Sequence, residues 1–296
     1  MIPTVGVIPG DPLADALILA ALRREGIPSF PLAPEDGRRA TLRALLRCDA
    51  LLKSYGAYSS GYFRLFAAAK ALRRRVALFW IGTDVLHAGS THRRWASRIQ
   101  RLVDLNLTVS GDLRDELLAL GIRSQVVPIV PDLSTIGVVP QPEAPTVLSY
   151  IPPVEHLFYG SELVRDLARR LPDMPFVVVG GWRDPAAAPN LECLGLVADM
   201  APVYRRCSVL LRLTQHDGLP KMLLEALAYG RQIVWTHPFP HCHLARSPAE
   251  ARELLLALAR DRQPNLGGAQ YVQEHYSFTA FAARLADHLR ELGTRA

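Results

Sequence analysis

The chain has 296 residues, 49% of them hydrophobic and 21% charged, with a formal net charge of +6 at pH 7. This length allows two domains of ordinary size, and the four cysteines form no CxxC pair, which argues against a disulfide framework and a structural zinc site. No apolar run reaches the roughly 20 residues that cross a bilayer, and the first residues lack the basic start of a signal peptide, so we expect a cytoplasmic protein.

Arginine supplies most of the positive charge, with clusters at residues 73–75 and 93–101. An anionic membrane surface, nucleic acid or an anionic substrate would each suit such a charge, and so would a plain arginine-rich surface. No aromatic-interleaved RNA motif, zinc finger or recognition helix is evident. A nucleic-acid partner is therefore allowed but not favoured, and peripheral contact with the inner face of the membrane is also allowed.

Short β-rich runs alternate with amphipathic helical patterns along almost the whole chain, which indicates an α/β fold with parallel sheets covered by helices. In the first half, helices are expected between the strands, including 13–24 and 112–120. The strands are expected at residues 4–8, 29–31, 50–53, 76–80, 106–109 and 125–129.

Several prolines between residues 128 and 145 mark the best candidate for a linker. We therefore predict a first domain over 1–139, a second over 140–276, and a closing helix over 277–296 that packs back toward the first domain. Ligands of open α/β sheets bind beyond the carboxyl ends of the strands, so two such halves are expected to face one cleft. In the second half, strands are expected at 147–151, 176–179, 191–194, 209–213 and 232–236, with helices at 161–170, 199–206 and in three pieces after 247.

The stretch TQHDGLPKMLLEALAYGRQIVWT, which begins at Thr214, is the most informative part of the chain. It sets two carboxylates, Asp217 and Glu225, on either side of a helix start. Between them, Gly218 and Leu219 lead into a proline that suits a first helical turn, which leaves backbone N–H groups available to an anion such as phosphate. Asp217 is also suited to a plain helix cap.

A ribose presents two adjacent hydroxyls, and one ionised carboxylate can accept both of them. Glu225 is therefore a candidate ribose ligand, and the alternative is a solvated acid paired with a neighbouring arginine. His216, beside Asp217, is a candidate hydrogen-bond donor to a sugar.

The segment 207–236 resembles the nucleotide-sugar motif of retaining GT-B glycosyltransferases of family four, E-x7-E followed by a small residue, a glycine and a strand. Asp217 stands at the first acid of that pattern, Glu225 at the second, and Gly230 precedes the strand. The resemblance implies that Glu225 binds the ribose of a nucleotide-sugar donor and that Asp217 lies against the transferred sugar.

Other stretches resemble the same family in the same order. VVVGG, which ends at Gly181, resembles the strand and glycine turn that approach the donor, and 194–211 resembles the base-binding region. The stretches 110–122 and 271–292 resemble the end of the first domain and the closing helices. The resemblance implies two Rossmann-like domains, with the donor held mainly by the second and the acceptor by the first.

One departure from the family concerns the donor diphosphate. The family usually supplies an arginine and a lysine from the loop after the first strand of the second domain, whereas residues 149–160 contain neither. The cations must then come from elsewhere, and Lys221 and Arg212 are the candidates, with surface placement as the alternative for each.

In the first half, the segment WIGTDVLHAGS follows a predicted strand. Related enzymes carry a histidine there that touches the donor sugar, and here Asp84 and His87 lie just beyond Trp80 and Gly82. Asp84 is a candidate to hold an acceptor hydroxyl or act as a base, or else to cap a turn. His87 has a pKa range suited to proton transfer, or is an ordinary loop histidine. Gly10, after the first strand, would allow the backbone to approach a substrate closely.

The resemblance implies a hexosyltransferase that uses a nucleoside diphosphate sugar, with retention of configuration and no cofactor beyond that donor. A metal is not expected, because the spacing of His237, His241, Cys242 and His243 matches no standard site. The acceptor, a sugar, a lipid-linked sugar or another small molecule, is left open. The alternatives are a catalytically weakened GT-B protein that serves as a nucleotide-sugar binding or partner module, a DNA-modifying sugar transferase, and a sugar-nucleotide epimerase.

Overall fold

The computed structural model describes residues 2–184, 186 and 188–294. The chain forms two compact units, the first made of residues 1–131 with 276–296 and the second of residues 132–275. The domain limits predicted at 139 and 276 lie close to these divisions, and the roles assigned to those domains stay a prediction.

Each unit contains one parallel sheet of six strands, and the predicted α/β class is confirmed. β6 is shorter than expected because Pro128 has no N–H to donate to a sheet. The strands are β1 (Val5–Ile8), β2 (Ser29–Pro31), β3 (Ala50–Ser54), β4 (Arg75–Trp80), β5 (Leu105–Thr108), β6 (Gln125–Val126), β7 (Val147–Tyr150), β8 (Phe176–Val179), β9 (Leu191–Gly195), β10 (Val209–Arg212), β11 (Gln232–Trp235) and β12 (His243–Leu244).

Helices form most of the connections between the parallel strands, and within the described residues the β8–β9 and β11–β12 connections are loops. The last helix packs against the first, which ties residues after 276 to the first unit. The helices are α1 (Pro12–Arg24), α2 (Arg38–Arg47), α3 (Ser60–Ala71), α4 (Thr83–Gly89), α5 (Arg93–Gln100), α6 (Gly111–Ala119), α7 (Ser161–Arg170), α8 (Ala201–Arg206), α9 (Lys221–Ala228), α10 (Pro248–Asp261), α11 (Leu266–His275) and α12 (Phe278–Thr294).

The central strands are buried because helices cover the sheet faces, and strands such as β1 and β8 are accordingly continuous apolar runs rather than alternating ones. All four residues of β1 and of β8 are buried. In the second unit, the core joins Phe176 and Val178 of β8 to Leu211 of β10 and to Val164 and Leu167 of α7. This packing fixes where each strand ends, and therefore where the following loop begins.

The strand orders contain one reversal in each unit. In the first unit the order is β2-β1-β3-β4-β5-β6, and in the second it is β12-β11-β10-β7-β8-β9. In the first sheet, β2 lies on one side of β1 and the next strand in the chain, β3, lies on the other. In the second sheet, β8 lies on one side of β7 and β10 lies on the other. Loops diverge at such a reversal and leave a crevice, which is where ligands of open α/β sheets bind. The β7/β10 reversal is the one that precedes the Asp217–Glu225 segment.

Arg231 fastens the start of the second unit to its sheet. Its side chain is almost completely buried at 1% exposure, and its guanidinium donates to the carbonyl oxygens of Tyr229, Cys207, Val139 and Pro140. A further bond of 3.2 Å reaches the Gln141 side chain. Burial lowers the pKa of Arg231 from its ordinary value. One side chain thus satisfies backbone groups from three separate segments of the second unit.

Candidate functional site

The loops after β7 and β8 approach each other closely beside the second reversal. Gly180 follows β8 with a φ of +105°, and a Cβ there would lie 2.7 Å from the Ile151 carbonyl oxygen. Only glycine fits this position without strain. Gly181 comes next, also at positive φ, so the predicted glycine turn lies at the carboxyl edge of the second sheet.

A buried ion pair lies at the end of β10. The Arg212 guanidinium donates to Asp217 Oδ2 through Nη2 and, at 3.0 Å, through Nε, and the two side chains are 6% and 16% exposed. The Arg212 guanidinium carbon also lies 5.9 Å from the centre of the Tyr150 ring on β7. The ion pair therefore lies at the carboxyl ends of β7 and β10, where the strand order reverses.

This pair corrects two sequence expectations. Asp217 does not cap α9: the residue before that helix is Pro220, and Asp217 Oδ1 accepts from the neighbouring Gly218 N–H at 3.0 Å instead. Arg212 does not offer an unmatched charge to a diphosphate, because the Asp217 carboxylate is already bonded to it. The Gly218 N–H likewise donates to Asp217, and the contact of Gly218 with the nucleotide-sugar donor stays a prediction. The contact of Asp217 with a transferred sugar stays a prediction.

Glu225 projects from the second turn of α9 and is half-buried. Its Oε2 accepts a hydrogen bond of 2.6 Å from the Tyr204 hydroxyl on α8. Burial raises the pKa of the Glu225 carboxyl above its ordinary value, while the Tyr204 hydrogen bond and the charge of Lys221 act in the opposite direction. The carboxylate predicted to bind ribose is therefore held by a rigid neighbour rather than free in solvent.

The remaining candidates of the second unit lie next to Glu225 along the chain. Lys221 is the first residue of α9, and His216 and Leu219 lie in the loop between β10 and α9, all of them half-buried. The Gln215 N–H in this loop donates to the Phe158 carbonyl oxygen at 3.1 Å, which ties the loop to the one after β7. The second unit thus brings the end of β10, this loop and the start of α9 to one edge of its sheet.

The first unit places Asp84 in a different role from the one expected. Its side chain is fully buried, and its carboxylate accepts from the N–H groups of Gly56 at 3.1 Å, Gly82 at 2.7 Å and Ile81. Burial raises the pKa of Asp84, although these backbone hydrogen bonds oppose the rise. The alternative of a turn cap fits this geometry, because the carboxylate joins the loops after β3 and β4. A base would need contact with an acceptor, which a fully buried carboxylate lacks.

His87 lies on α4 and is half-buried, with its ring edge-on to His92 at 5.8 Å between centroids. Its role in proton transfer stays a prediction. Gly10 is placed against protein rather than substrate. A Cβ on Gly10 would lie 1.8 Å from the Ser54 carbonyl oxygen and 2.6 Å from Lys53 Nζ, so glycine is required here to admit the loop after β3.

Lys53 is a buried cation that was not predicted from the sequence, because a lysine near the end of a strand is usually exposed. Its side chain is 3% exposed, and Nζ donates to the carbonyl oxygens of Ser54 at 2.5 Å and Tyr55 at 2.9 Å. Nζ also lies 5.4 Å from the centre of the Tyr62 ring. Burial lowers the pKa of Lys53 from 10.5 to about 8, although Asp15 and Asp84 partly offset the effect.

We expect Lys53 to contribute a rise in the free energy of unfolding of the wild type between pH 8 and pH 10.5, in opposition to the buried thiols of Cys207 and Cys242, whose raised pKa values lower it over the same range. In this range the unfolded state keeps a proton on Lys53 that the folded state has released, so raising the pH relieves the cost of the buried charge. The difference between the two pKa values corresponds to about 3 kcal/mol over the whole range. Urea unfolding of the wild type and Lys53→Met at pH 7.5, 9 and 10 measures it. The variant should lack this rise, and parallel pH profiles for the two proteins would contradict the assignment.

Within residues 2–184, 186 and 188–294, no helix has the length and hydropathy needed to cross a membrane. In the same part of the chain, no three His, Cys, Asp or Glu side chains form a group able to hold a metal ion. His237, His241 and His243 instead enter ring contacts and hydrogen bonds with neighbours such as Trp235, Tyr271 and Gln232.

Solved structures share this architecture. HepE from Anabaena, determined with UDP and glucose, is 12% identical, with 98% of this chain and 100% of that chain covered and a TM-score of 0.76. The sucrose-phosphate synthase of Thermosynechococcus elongatus is 13% identical, with coverages of 99% and 100% and a TM-score of 0.76. A Listeria monocytogenes protein assigned as a UDP-N-acetylglucosamine 2-epimerase is 14% identical, with coverages of 97% and 97% and a TM-score of 0.58.

No protein-family model and no curated protein sequence matches the chain. At these identities the structural likeness establishes the fold, and the resemblance read from the sequence is consistent with it. Two parallel six-stranded sheets, each reversed beside its first strand and covered by helices, match those structures along nearly the whole chain. The chain therefore has the GT-B fold of two Rossmann-like domains.

Proposed function

We propose that the chain transfers a hexosyl group from a nucleoside diphosphate sugar to an acceptor, with retention of configuration. The observation that supports this best is Glu225, a half-buried carboxylate beside the β7/β10 reversal and hydrogen-bonded to Tyr204 at 2.6 Å. HepE, which shares the fold, was solved with UDP and glucose. The fold is also shared by a protein assigned as an epimerase, so the reaction has to be argued from the residues.

In this proposal the nucleotide is held by the second unit. Glu225 accepts the two ribose hydroxyls, a contact that suits one carboxylate with two oxygens. Lys221 and the backbone N–H groups that open α9 stabilise the diphosphate, because a helix start carries partial positive charge. His216 donates to the sugar, and the glycine turn through Gly181 admits the donor beside β8.

The chemical step depends on the departure of a nucleoside diphosphate. Negative charge develops on the leaving phosphate oxygen, and the ammonium of Lys221 with the α9 N–H groups is best placed to stabilise it. Asp217 contributes a carboxylate whose position is fixed by Arg212, next to the expected place of the transferred sugar. No residue is assigned as a covalent nucleophile.

A second candidate is a nucleotide-sugar binding module with little or no turnover. The specific observation in its favour is the shortage of cations for the diphosphate: residues 151–160 contain no arginine or lysine, and Arg212 is paired with Asp217. Such a module would still bind the nucleotide through Glu225. It would stabilise the developing charge of the transition state poorly.

Incubation of the purified chain with UDP-, GDP-, ADP- and TDP-linked hexoses separates these functions. Transfer to an added acceptor, or slow hydrolysis of one donor, supports the glycosyltransferase, and both should be lost in Glu225→Ala. A raised melting temperature without any turnover decides for the binding module. If no nucleotide or nucleotide sugar changes the melting temperature, both proposals are wrong. Salt-sensitive retention on DNA would instead favour a DNA-modifying transferase.

A further inference from the structure

The Tyr204 hydroxyl donates to Glu225 from a buried position that allows the side chain little movement. The residue lies on α8, is 1% exposed, and its hydroxyl is 2.6 Å from Glu225 Oε2. Its ring stacks on Tyr229, the residue that follows α9, with 5.2 Å between centroids and an interplanar angle of 25°. The burial of the side chain and the stacking on Tyr229 therefore restrict the direction of the hydroxyl.

A fixed donor orients the carboxylate that it binds. A glutamate side chain otherwise rotates about three bonds and loses conformational entropy on binding a ligand. With Oε2 bonded to Tyr204, rotation of the Glu225 side chain is restricted, and the carboxylate has a second oxygen, Oε1, that can accept from a ligand. Such preorganisation increases affinity because less ordering is required when the ligand arrives.

We propose that Tyr204 is a positioning residue for the nucleotide: its hydroxyl orients Glu225 so that the carboxylate receives both ribose hydroxyls. This inference rests on the proposed role of Glu225 in nucleotide binding. A buried tyrosine outside the Asp217–Glu225 segment thereby contributes to the affinity for the donor.

The charged and titratable groups around this pair come from three elements. Lys221, one turn before Glu225 on α9, and the Tyr204 hydroxyl on α8 both lower the pKa of the Glu225 carboxyl against the effect of burial. Glu225, Arg212 on β10 and Tyr229 act on the Tyr204 hydroxyl itself. Removing that hydroxyl takes away one of the influences that lower the Glu225 pKa, so a larger fraction of Glu225 is protonated at mildly acidic pH.

Tyr204→Phe tests the proposal, because it removes the hydroxyl and keeps the stacked ring. We measure the Kd for UDP from pH 5 to pH 8 by calorimetry. The variant should bind about tenfold more weakly at neutral pH, as expected for the loss of a hydrogen bond to a charged group. Its affinity should also fall at a higher pH than that of the wild type as the solution is made acidic. Tyr229→Phe is the matched control, since it removes a hydroxyl from the same stacked pair that is not bonded to Glu225.

A double substitution separates orientation of Glu225 from a general structural effect. In the Glu225→Ala background, Tyr204→Phe should change the Kd no further. Wild-type affinity and an unchanged pH profile in Tyr204→Phe would overturn the inference while leaving the role of Glu225 intact, provided that Glu225→Ala binds weakly. If the wild type binds none of UDP, GDP and ADP, or if Glu225→Ala binds the nucleotide as tightly as the wild type, the proposed role of Glu225 fails first and the inference with it.

Discussion

Arg231→Ala is expected to lower the free energy of unfolding of the second unit by roughly 3–5 kcal/mol. The substitution removes the guanidinium donor from the carbonyl oxygens of Cys207, Val139 and Pro140 and from the Gln141 side chain, whereas the Tyr229 carbonyl oxygen keeps the Val139 N–H as a donor. A buried acceptor that loses its partner costs about 1–3 kcal/mol, and alanine also leaves a cavity. Urea unfolding gives the change, and hydrogen exchange of the 139–141 segment shows where it acts.

An exposed arginine is the control for this prediction. Arg205 lies on α8 close to the same region and is exposed, so Arg205→Ala should change the free energy of unfolding by no more than about 0.5 kcal/mol. Arg231→Lys should fall between the two, because it keeps the charge but has fewer donors and no planar fork. A loss in Arg231→Ala as small as that in Arg205→Ala would contradict the fastening role of Arg231.

Glu225→Ala is expected to weaken UDP binding by about a hundredfold or more. The proposed contact consists of two hydrogen bonds from ribose hydroxyls to one carboxylate, and each bond to a charged group contributes roughly 1.5–3 kcal/mol. The variant also leaves the buried Tyr204 hydroxyl without the acceptor that it now has. The melting temperature without ligand has to be measured alongside the Kd, so that a loss of folding is not mistaken for a loss of binding.

Two further variants test whether the loss of affinity is specific to the Glu225 carboxylate. Glu225→Gln keeps the size of the side chain and one carbonyl acceptor, so its affinity should be intermediate. Glu253→Ala removes an exposed acid from α10 and should bind UDP as the wild type does. Equal affinity in the wild type and Glu225→Ala would exclude Glu225 as the ribose ligand.

The positions of the strands and the parallel architecture were predictable because they follow from local patterns. β2 and β8 begin and end where the apolar runs indicated, and α7 spans the predicted 161–170. The period and length of an apolar run indicate how far a segment is buried. Strands that are covered on both faces can therefore be predicted from the sequence without tertiary information. β6 was overestimated because an apolar run continued through Pro128, a residue that cannot donate to a ladder.

The contacts within the candidate site were harder to predict, because they depend on which loops the fold brings together. Arg212 and Asp217 are close in sequence, yet their contact depends on how the loop after β10 turns back on the end of that strand. Tyr204 and Glu225 lie 21 residues apart on different helices. The predicted role of Gly10 is to let the backbone approach a substrate, whereas in the structure its missing side chain makes room for the Ser54 carbonyl oxygen. In each case the sequence shows the chemical type of the side chain, but not the residue that it contacts.

A crystal structure of the chain with UDP is the most direct test of donor binding at the β7/β10 reversal. We expect the ribose hydroxyls within hydrogen-bonding distance of Glu225, with Tyr204 still bonded to its other oxygen, and the diphosphate beside Lys221 and the start of α9. UDP bound elsewhere on the chain, or bound here with its ribose away from Glu225, would contradict it.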